Sequence, residues 1–339
     1  MIEYFILYFL MFVLIFLISY YLILRITPKL IKIIIANKFV GKDMNKLNKP
    51  LVAELGGLPV IISFIFSILI SFLFYIIFFK NLLILDIGEF FIILASMCFI
   101  FFLGFIDDIL GWKKGISQWQ HFLFPIILCI PIIVYTIYAG YSTIYIPFLG
   151  LISVGLIYSW VFVPVALTAT TNSFNLLAGY NGLEVGLGII IFSTISLFSL
   201  LTYNFTLLII LAAWLGALVG FLKFNKFPSK IFPGDIITLA NGFFAGVCAI
   251  ILKMELLIAF LILLYIIEFI IKAKHNFKTE CFGVIQKNKI ILPNPKGGSL
   301  IHLVLKRGKF TEKKLVNRFY IFQIIISLFS VLFFFIFYF

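Results

Sequence analysis

Long apolar runs separated by short polar segments dominate this chain and predict its secondary structure. An α-helix needs about 20 residues to cross a hydrocarbon core about 30 Å thick, and several runs approach or exceed that length. The pattern therefore predicts ten membrane-spanning helices. They are placed near residues 4–24, 58–79, 90–106, 119–138, 148–168, 183–203, 205–222, 236–252, 254–271 and 319–338.

Composition places the chain among polytopic membrane proteins of the all-α class. Its residues are 64% hydrophobic and only 12% charged, and its mean hydropathy is +1.23. We expect one integral membrane domain over residues 1–339, with a cytoplasmic loop at about 272–318. Glu3 stands where a signal peptide would be basic, and the first apolar run is too long for a signal, so we expect a retained first span.

The lysines and arginines test this topology, because positive charge is retained on the cytoplasmic side during membrane insertion. With the ten spans above, 24 of the 26 basic residues fall on one side, and only Lys80 and Lys253 fall on the other. This distribution predicts that both termini face outward. It also indicates that the net charge of +13 is concentrated on one side of a membrane and is not a sign of nucleic-acid binding.

Two adjacent carboxylates, Asp107 and Asp108, end the third apolar run in FLGFIDDILGWKK. Neighbours on a helix point about 100° apart, so the two are not expected to chelate one ion together. One could face a metal ion or a phosphate while the other orients or deprotonates the attacking group. The alternative is that the pair simply ends a span in water, beside Lys113 and Lys114.

Two further segments carry polar residues to the same predicted side of the membrane. TNSFNLLAGYNGLEVG holds Asn172 and Asn175, which share a helix face, followed by Asn181 and Glu184. KFPSKIFPGD ends a lysine-rich loop with Asp235. A glycine-rich break with capping residues would explain both segments without a function.

Carboxylates, amides and lysines gathered at the membrane surface are suited to binding a divalent cation together with phosphates. Hard oxygen ligands suit Mg²⁺, and lysines neutralise phosphate oxygens. A phosphorylated lipid and a soluble phosphate compound can meet only at the membrane surface. We therefore expect a shallow site at the membrane interface, with Mg²⁺ as its cofactor.

Four segments, in this order, resemble the polyprenyl-phosphate N-acetylhexosamine-1-phosphate transferases: GKDMNKLNKPLVAELGG, FLGFIDDILGWKK, TNSFNLLAGYNGLEVG and IFPGDIITLANGFFAG. Within that family, the resemblance is greatest to the dolichyl-phosphate N-acetylglucosamine-1-phosphotransferase branch. It extends over nearly the whole chain, including SLIHLVLKRGKFTEKKL before the last span. The family has ten spans and a cytoplasmic site, in agreement with the topology predicted from the lysines.

The resemblance implies a Mg²⁺-dependent transfer of N-acetylglucosamine-1-phosphate from UDP-N-acetylglucosamine to a polyprenyl phosphate of the dolichyl type, with release of UMP. It also implies an integral membrane location, in the plasma membrane if the source is prokaryotic, and a homodimer. Direct attack by the lipid phosphate and a covalent aspartyl-phosphate route both remain open.

The resemblance assigns roles by motif position. Metal binding falls to Asn175 and Asp235, and action on the lipid phosphate or orientation of the site falls to Asp107 and Asp108. The nearest match to the phosphate-binding lysine is Lys114, with Lys113 as the alternative. The donor is expected to contact Met44, Glu54, Asn172, Asn181 and Phe232.

The loop ECFGVIQKNKIILPNPKGGSL departs from the family, because it lacks the basic motif that relatives present to the diphosphate and sugar. Lys287 and Lys289 are candidate substitutes, and the identity of the sugar is left open. The three histidines, His121, His275 and His302, fit no ligand spacing and are expected to be structural or interfacial.

Two other functions are compatible with a basic inner face. A transporter or flippase for a phosphorylated lipid or anion would recruit the same cargo, but it is expected to carry acids or broken helices near the bilayer midplane and repeat symmetry. Neither feature is evident in the sequence. A catalytically inactive scaffold would require substitutions at the metal positions, which match the family.

Overall fold

The computed structural model describes residues 2–80, 82–111, 117–287, 289–293 and 297–338. The described residues form thirteen α-helices and three two-stranded antiparallel hairpins. The helices are α1 Ile2–Ala36, α2 Gly57–Phe74, α3 Ile87–Leu110, α4 Gln118–Leu128, α5 Ile130–Tyr138, α6 Val163–Leu176, α7 Leu183–Leu201, α8 Phe205–Asn225, α9 Gly234–Leu252, α10 Glu255–Leu261, α11 Leu263–Lys274, α12 Leu300–Leu305 and α13 Glu312–Phe337. The strands are β1 Val40–Lys42, β2 Leu51–Ala53, β3 Thr143–Ile146, β4 Gly150–Ser153, β5 Val284–Gln286 and β6 Lys289–Ile291. Short π-helical segments, Tyr75–Phe79 and Tyr158–Phe162, follow α2 and precede α6.

Eight helical segments among the described residues are long and apolar enough to cross a membrane. A ninth is added if α10 and α11, which meet at an angle of 75°, are counted as one broken span. The predicted helical, polytopic architecture is therefore confirmed. The count of ten spans, the outward termini and the cytoplasmic position of the site remain predictions.

The prediction of a span at 148–168 was wrong in its position. Residues 143–153 form the β3–β4 hairpin, in which Thr143 pairs with Ser153 and Ile146 pairs with Gly150. Helical structure begins only at Tyr158 and continues through α6 to Leu176. The apolar run alone did not distinguish a hairpin of β-branched and aromatic residues from the first half of a helix.

Helix α9 lies at the centre of the bundle and is almost completely buried. It packs against α2, α3, α6, α7 and α10, while its neighbour in sequence, α8, packs against α1, α2 and α7. Because its first turn carries Asp235, this central position brings the start of α9 close to the ends of α3 and α6.

Glycines at two helix crossings allow this close approach. A Cβ atom at Gly104 of α3 would lie 2.6 Å from the Cα of Ile236 in α9. Similarly, a Cβ atom at Gly242 of α9 would overlap the backbone of Thr170 in α6. Small residues let transmembrane helices approach at backbone distance. The crossings therefore set the separations between the polar residues at the ends of α3, α6 and α9.

The β1–β2 hairpin is attached to the segment that precedes α9. The Phe232 N–H donates to the Ala53 carbonyl at 2.8 Å, and the Gly56 N–H donates to the Phe232 carbonyl at 2.9 Å. These bonds hold residues from the first polar segment of the chain beside the start of α9. They form one wall of the candidate site.

Candidate active site

A cavity of about 580 Å³ opens between the β1–β2 hairpin, the connection from α6 to α7, and the start of α9. Its wall includes residues from four segments that are far apart in sequence. Six of the predicted site residues line it: Met44, Glu54, Asn175, Asn181, Phe232 and Asp235. The structure thus brings four of the five predicted donor-binding residues and both predicted metal-binding residues to one place.

The two adjacent aspartates of α3 have different partners. The Asp107 side chain is buried, and its Oδ2 lies 2.9 Å from Nε2 of His121. The Asp108 carboxylate accepts hydrogen bonds from the backbone N–H groups of Asp235, at 2.7 Å, and Ile236, at 3.4 Å. Asp108 therefore caps the N-terminus of α9 and fixes the residue that carries the neighbouring carboxylate.

Asp235 is the point where α3, α6 and α9 meet. Its carboxyl group has hydrogen-bond contacts with the side chains of Asp107 and Asn175. The Thr238 hydroxyl, one turn further along α9, donates to Oδ1 of Asn175 at 3.2 Å. Asp235 therefore contacts both of the residues predicted to act with it, Asp107 and Asn175.

The donor set at this point fits a divalent cation. One ligand atom each from Asp107, His121 and Asp235 lies within 4.8 Å of the others, and the Asn175 amide is next to them. Carboxylate and amide oxygens are the ligands Mg²⁺ takes, and the Thr238 bond to Asn175 is the kind of outer contact that orients a ligand. Asn175 and Asp235, the metal ligands that the resemblance implies, both lie at this point, and their binding of an ion stays a prediction.

His121 was expected to be structural, but the structure places it against Asp107. It lies in the first turn of α4, which begins with a capping box formed by Ser117 and Gln120. Ligand spacing in the sequence gave no indication of this position. The topology could have done so, because the start of a span that follows a short connection lies at the same membrane face as the end of the preceding span.

Asn172 does not contact the cavity in the way predicted. Its Nδ2 donates to the backbone carbonyls of His121, at 3.1 Å, and Thr168, at 2.9 Å. It is absent from the described residues that line the cavity. The side chain instead attaches the start of α4 to α6, so it supports the position of His121.

A second polar network closes the other end of the cavity. The Asn181 side chain donates to Oδ2 of Asp43 at 3.0 Å, and its backbone N–H donates to Oε1 of Glu312 at 2.8 Å. Lys46 forms ion pairs with both Asp43 and Glu312. Asn181 is thereby held between the first polar segment and α13, a contact that the sequence did not indicate.

Glu54 and Phe232 stand side by side where the hairpin meets the start of α9. The backbone bonds of this junction fix both residues, and both line the cavity. Burial raises the pKa of the Glu54 carboxyl group above its ordinary value. A raised pKa makes this carboxyl group easier to protonate, and in its protonated form it can donate a hydrogen bond to a polar ring.

Comparison with known proteins identifies the family. The profile of glycosyl transferase family 4 matches residues 90–253. A Saccharolobus solfataricus protein, provisionally named as a UDP-N-acetylglucosamine–dolichyl-phosphate N-acetylglucosaminephosphotransferase, is 38% identical over 287 residues, which cover 83% of each chain. The chain belongs to glycosyl transferase family 4.

Two further relatives show the breadth of this similarity. A Sulfolobus acidocaldarius protein with the same provisional name is 36% identical over 306 residues, covering 87% of this chain and 88% of its own. A phospho-N-acetylmuramoyl-pentapeptide-transferase of Clostridium beijerinckii is 34% identical over 184 residues, covering 52% and 56%. The family-4 profile spans α3 to α9, the helices that carry Asp107, Asn175 and Asp235.

The phosphate-binding lysines expected for a family-4 transferase, Lys113 and Lys114, lie outside the described residues. Among the described residues of the cavity wall, Lys42 is the basic side chain. The candidate substitutes, Lys287 and Lys289, are exposed on the β5–β6 hairpin and are not among the described lining residues.

The segment between α11 and α12 is anchored behind the family-4 site by a buried acid. The Glu268 carboxylate accepts from the backbone N–H of Leu300 at 2.5 Å and from the Ser299 hydroxyl at 3.1 Å, and it lies 3.5 Å from Nζ of Lys272. Burial raises the pKa of the nearby Cys281 thiol to about 11. Cys281 Sγ lies 3.4 Å from Oε1 of Glu268. The next residue, Phe282, is on the cavity wall, and its carbonyl lies 3.0 Å from Nε2 of His302.

Proposed function

We propose that this chain transfers N-acetylglucosamine-1-phosphate from UDP-N-acetylglucosamine to a polyprenyl phosphate of the dolichyl type and releases UMP. The similar proteins from Saccharolobus solfataricus and Sulfolobus acidocaldarius carry names that describe this reaction. The observation that carries the proposal is the convergence of Asp107, Asn175 and Asp235 beside a cavity large enough for a nucleotide sugar.

In this reaction an oxygen of the lipid phosphate attacks the β-phosphorus of the donor. The new P–O bond joins the lipid to the sugar phosphate, and the bond between the β-phosphorus and the bridging oxygen breaks, so that UMP leaves. A phosphate monoester is mostly ionised at neutral pH, because its second pKa is near 6. The nucleophile is therefore already anionic, and a strong general base is unnecessary.

Positioning of two anions is the main task of the protein in such a transfer. Asp107 is buried at the end of α3 and would orient the acceptor phosphate at the edge of the cavity. Asp108 would act indirectly, because its carboxylate fixes the first turn of α9 and with it Asp235. Thr238 would orient the Asn175 amide in the same way.

Charge neutralisation is the second task. Mg²⁺, when held by Asn175 and Asp235, would neutralise charge on the donor diphosphate. Lys42 on the cavity wall would add a positive charge from the hairpin side. Elsewhere on the cavity wall, Met44, Glu54, Asn181 and Phe232 would hold the uridine.

The reaction requires a membrane setting, because one substrate is a lipid and the other is soluble. The C-terminal ends of α3 and α6 and the N-terminal end of α9 meet beside the cavity. Two described lysines are at the same place: Lys42 lines the cavity, and Lys46 pairs with Asp43 of its wall. We propose that this end of the bundle faces the cytoplasm, where nucleotide sugars are available and where positive charge is retained.

The direct test measures UMP release by the purified full-length protein with UDP-N-acetylglucosamine and Mg²⁺, with and without polyprenyl phosphate. The proposal predicts UMP only when the lipid phosphate is present, together with a sugar-linked lipid diphosphate in equal amount. Removal of the divalent cation with EDTA should abolish release, and added Mg²⁺ should restore it.

Two controls make this test specific. Polyprenol without its phosphate should give no UMP, since it lacks the anionic nucleophile. Competition by other UDP-sugars should identify the sugar that the cavity prefers. Nucleotide binding without UMP release would contradict the proposal and favour a binding protein, and no nucleotide binding at all would favour a transporter.

A further inference from the structure

His121 brings an imidazole to two carboxylates that come from other helices. Its Nε2 lies 2.9 Å from Oδ2 of Asp107. One ligand atom each of His121, Asp107 and Asp235 lies within 4.8 Å of the other two. The three side chains belong to α4, α3 and α9. Among the described residues, this is the one group of at least three acidic, histidine or cysteine side chains whose spacing suits a metal ion.

The surrounding structure fixes the backbone that carries this imidazole. Asn172 of α6 donates to the His121 carbonyl at 3.1 Å, and the capping box of Ser117 and Gln120 fixes the first turn of α4. The His121 side chain is only 17% exposed. A surface histidine that merely paired with a nearby acid would not require anchoring from a second helix.

The chemistry of the donor set points to a particular class of ion. Mg²⁺ is a hard cation that takes oxygen ligands and gives up its water reluctantly. Imidazole nitrogen suits first-row transition ions, and Mn²⁺ also accepts carboxylates. A site with two carboxylates and one imidazole is therefore better matched to Mn²⁺ and related ions than to Mg²⁺.

We propose that His121 is a metal ligand together with Asp107 and Asp235, and that this mixed donor set makes the chain bind Mn²⁺ more tightly than Mg²⁺. The inference rests on the proposed function, in which Asp235 holds the cation. It goes further in three ways: it adds a nitrogen ligand, it makes Asp107 a metal ligand, and it names the class of ion that the site prefers.

The test uses the full-length protein in detergent and Mn²⁺ alone as the probe, followed by electron paramagnetic resonance. The unmodified protein is expected to bind Mn²⁺ with a nitrogen hyperfine coupling from a directly bonded imidazole, and Mn²⁺ should compete with Mg²⁺ at about tenfold lower concentration. His121→Ala and His121→Gln should both lose the nitrogen coupling and weaken Mn²⁺ binding by about tenfold or more.

His275→Ala is the matched control, because His275 is an exposed histidine at the end of α11. It should retain the coupling and the Mn²⁺ affinity. Thermal unfolding of each variant shows whether it is folded, and His121→Gln keeps a polar side chain of similar reach in case the alanine variant does not fold.

Three results would overturn the inference: no nitrogen coupling in the unmodified protein, a coupling that survives in His121→Gln, or an unchanged ratio of Mn²⁺ to Mg²⁺ affinity in the variants. Separate UMP measurements distinguish this failure from failure of the proposed function. A protein that releases UMP with Mg²⁺ but lacks the coupling disproves only the imidazole ligand. A protein that shows the coupling but releases no UMP disproves only the transfer.

Discussion

The two ends of helix α3 both carry buried acids, but in different surroundings. At the N-terminal end, Oε2 of Glu89 lies 3.2 Å from Nδ2 of Asn204 and 3.5 Å from the Tyr135 hydroxyl. At the C-terminal end, Asp107 faces a second carboxylate, that of Asp235, and a histidine, beside a cavity. The first acid lies beside two neutral donors and near the Asp86 carboxylate, whereas the second contacts groups that can share a cation.

This difference shows that burial alone does not identify a functional acid in a membrane protein. Glu89 has two neutral donors on Oε2, whereas its Oε1 is buried without a hydrogen-bond partner among the described residues. Carboxylates held close together repel each other when both are ionised, and a bound cation relieves that repulsion. Convergence of acids from separate helices is therefore the stronger sign of a site.

The largest effect is expected from Asp235→Asn, at the point where the three helices meet. The substitution keeps the size of the side chain and removes its charge. We expect UMP release to fall by about 10³-fold, with a higher Mg²⁺ concentration needed for half-maximal rate. The measurement is the initial rate as a function of Mg²⁺. Normal activity with an unchanged Mg²⁺ response would remove Asp235 from the metal site.

Asp107→Asn should distinguish an effect on the lipid acceptor from an effect on binding of the nucleotide-sugar donor. We expect UMP release to fall by about 10²-fold, because the group that orients the lipid phosphate is lost. Donor affinity, measured by equilibrium binding of UDP-N-acetylglucosamine, should change less than the rate, because Met44, Glu54, Asn181 and Phe232 remain. A loss of donor affinity with an unchanged rate of UMP release at saturating donor would contradict this assignment.

Asp108 tests whether the second aspartate acts through helix α9. Asp108→Ala removes the acceptor of two backbone N–H groups, so we expect a loss of about 1 kcal/mol in stability and about a tenfold lower rate. Asp108→Asn keeps an acceptor oxygen and should recover most of the stability. Thermal unfolding and UMP release are measured together. Equal stability in both variants would show that the cap is not important.

The smallest effect is expected from Glu89→Gln at the opposite end of α3. The glutamine keeps an oxygen that can accept from Asn204 and Tyr135, and it lies far along the helix from the cavity. UMP release should stay within about twofold of the unmodified protein, as is usual for substitutions away from a site. A loss comparable to that of Asp107→Asn would show that the two ends are functionally coupled.

Sequence periodicity predicted the helices well where an apolar run was bounded by charge. It failed at 148–168, where the run contains the turn of a hairpin. The hairpin there packs against side chains from elsewhere: the Tyr145 ring is tilted against that of Tyr338, and the Phe148 ring meets that of Phe337 edge to face. These contacts join residues almost 200 positions apart, so a local pattern could not indicate them.

The motifs predicted the residues of the site better than they predicted which of them touch. Asn175 and Asp235 come together because Gly242 and Gly104 allow α6, α9 and α3 to approach closely. Asn172 shares a helix face with Asn175 but reaches the backbone of the next helix instead of the cavity. The contact of His121 with Asp107 was not predicted, because ligand spacing in the sequence does not show it. The homodimer and the Mg²⁺ requirement remain predictions.

The most direct test of the account is a double-mutant cycle between Asp107 and Asp235, measured as UMP release. If both carboxylates serve one centre, their losses are not additive, and Asp107→Asn/Asp235→Asn should be about as slow as Asp235→Asn alone. Independent sites would instead multiply the two losses. A double variant slower than Asp235→Asn by the full factor of Asp107→Asn would contradict the central claim that these residues act together.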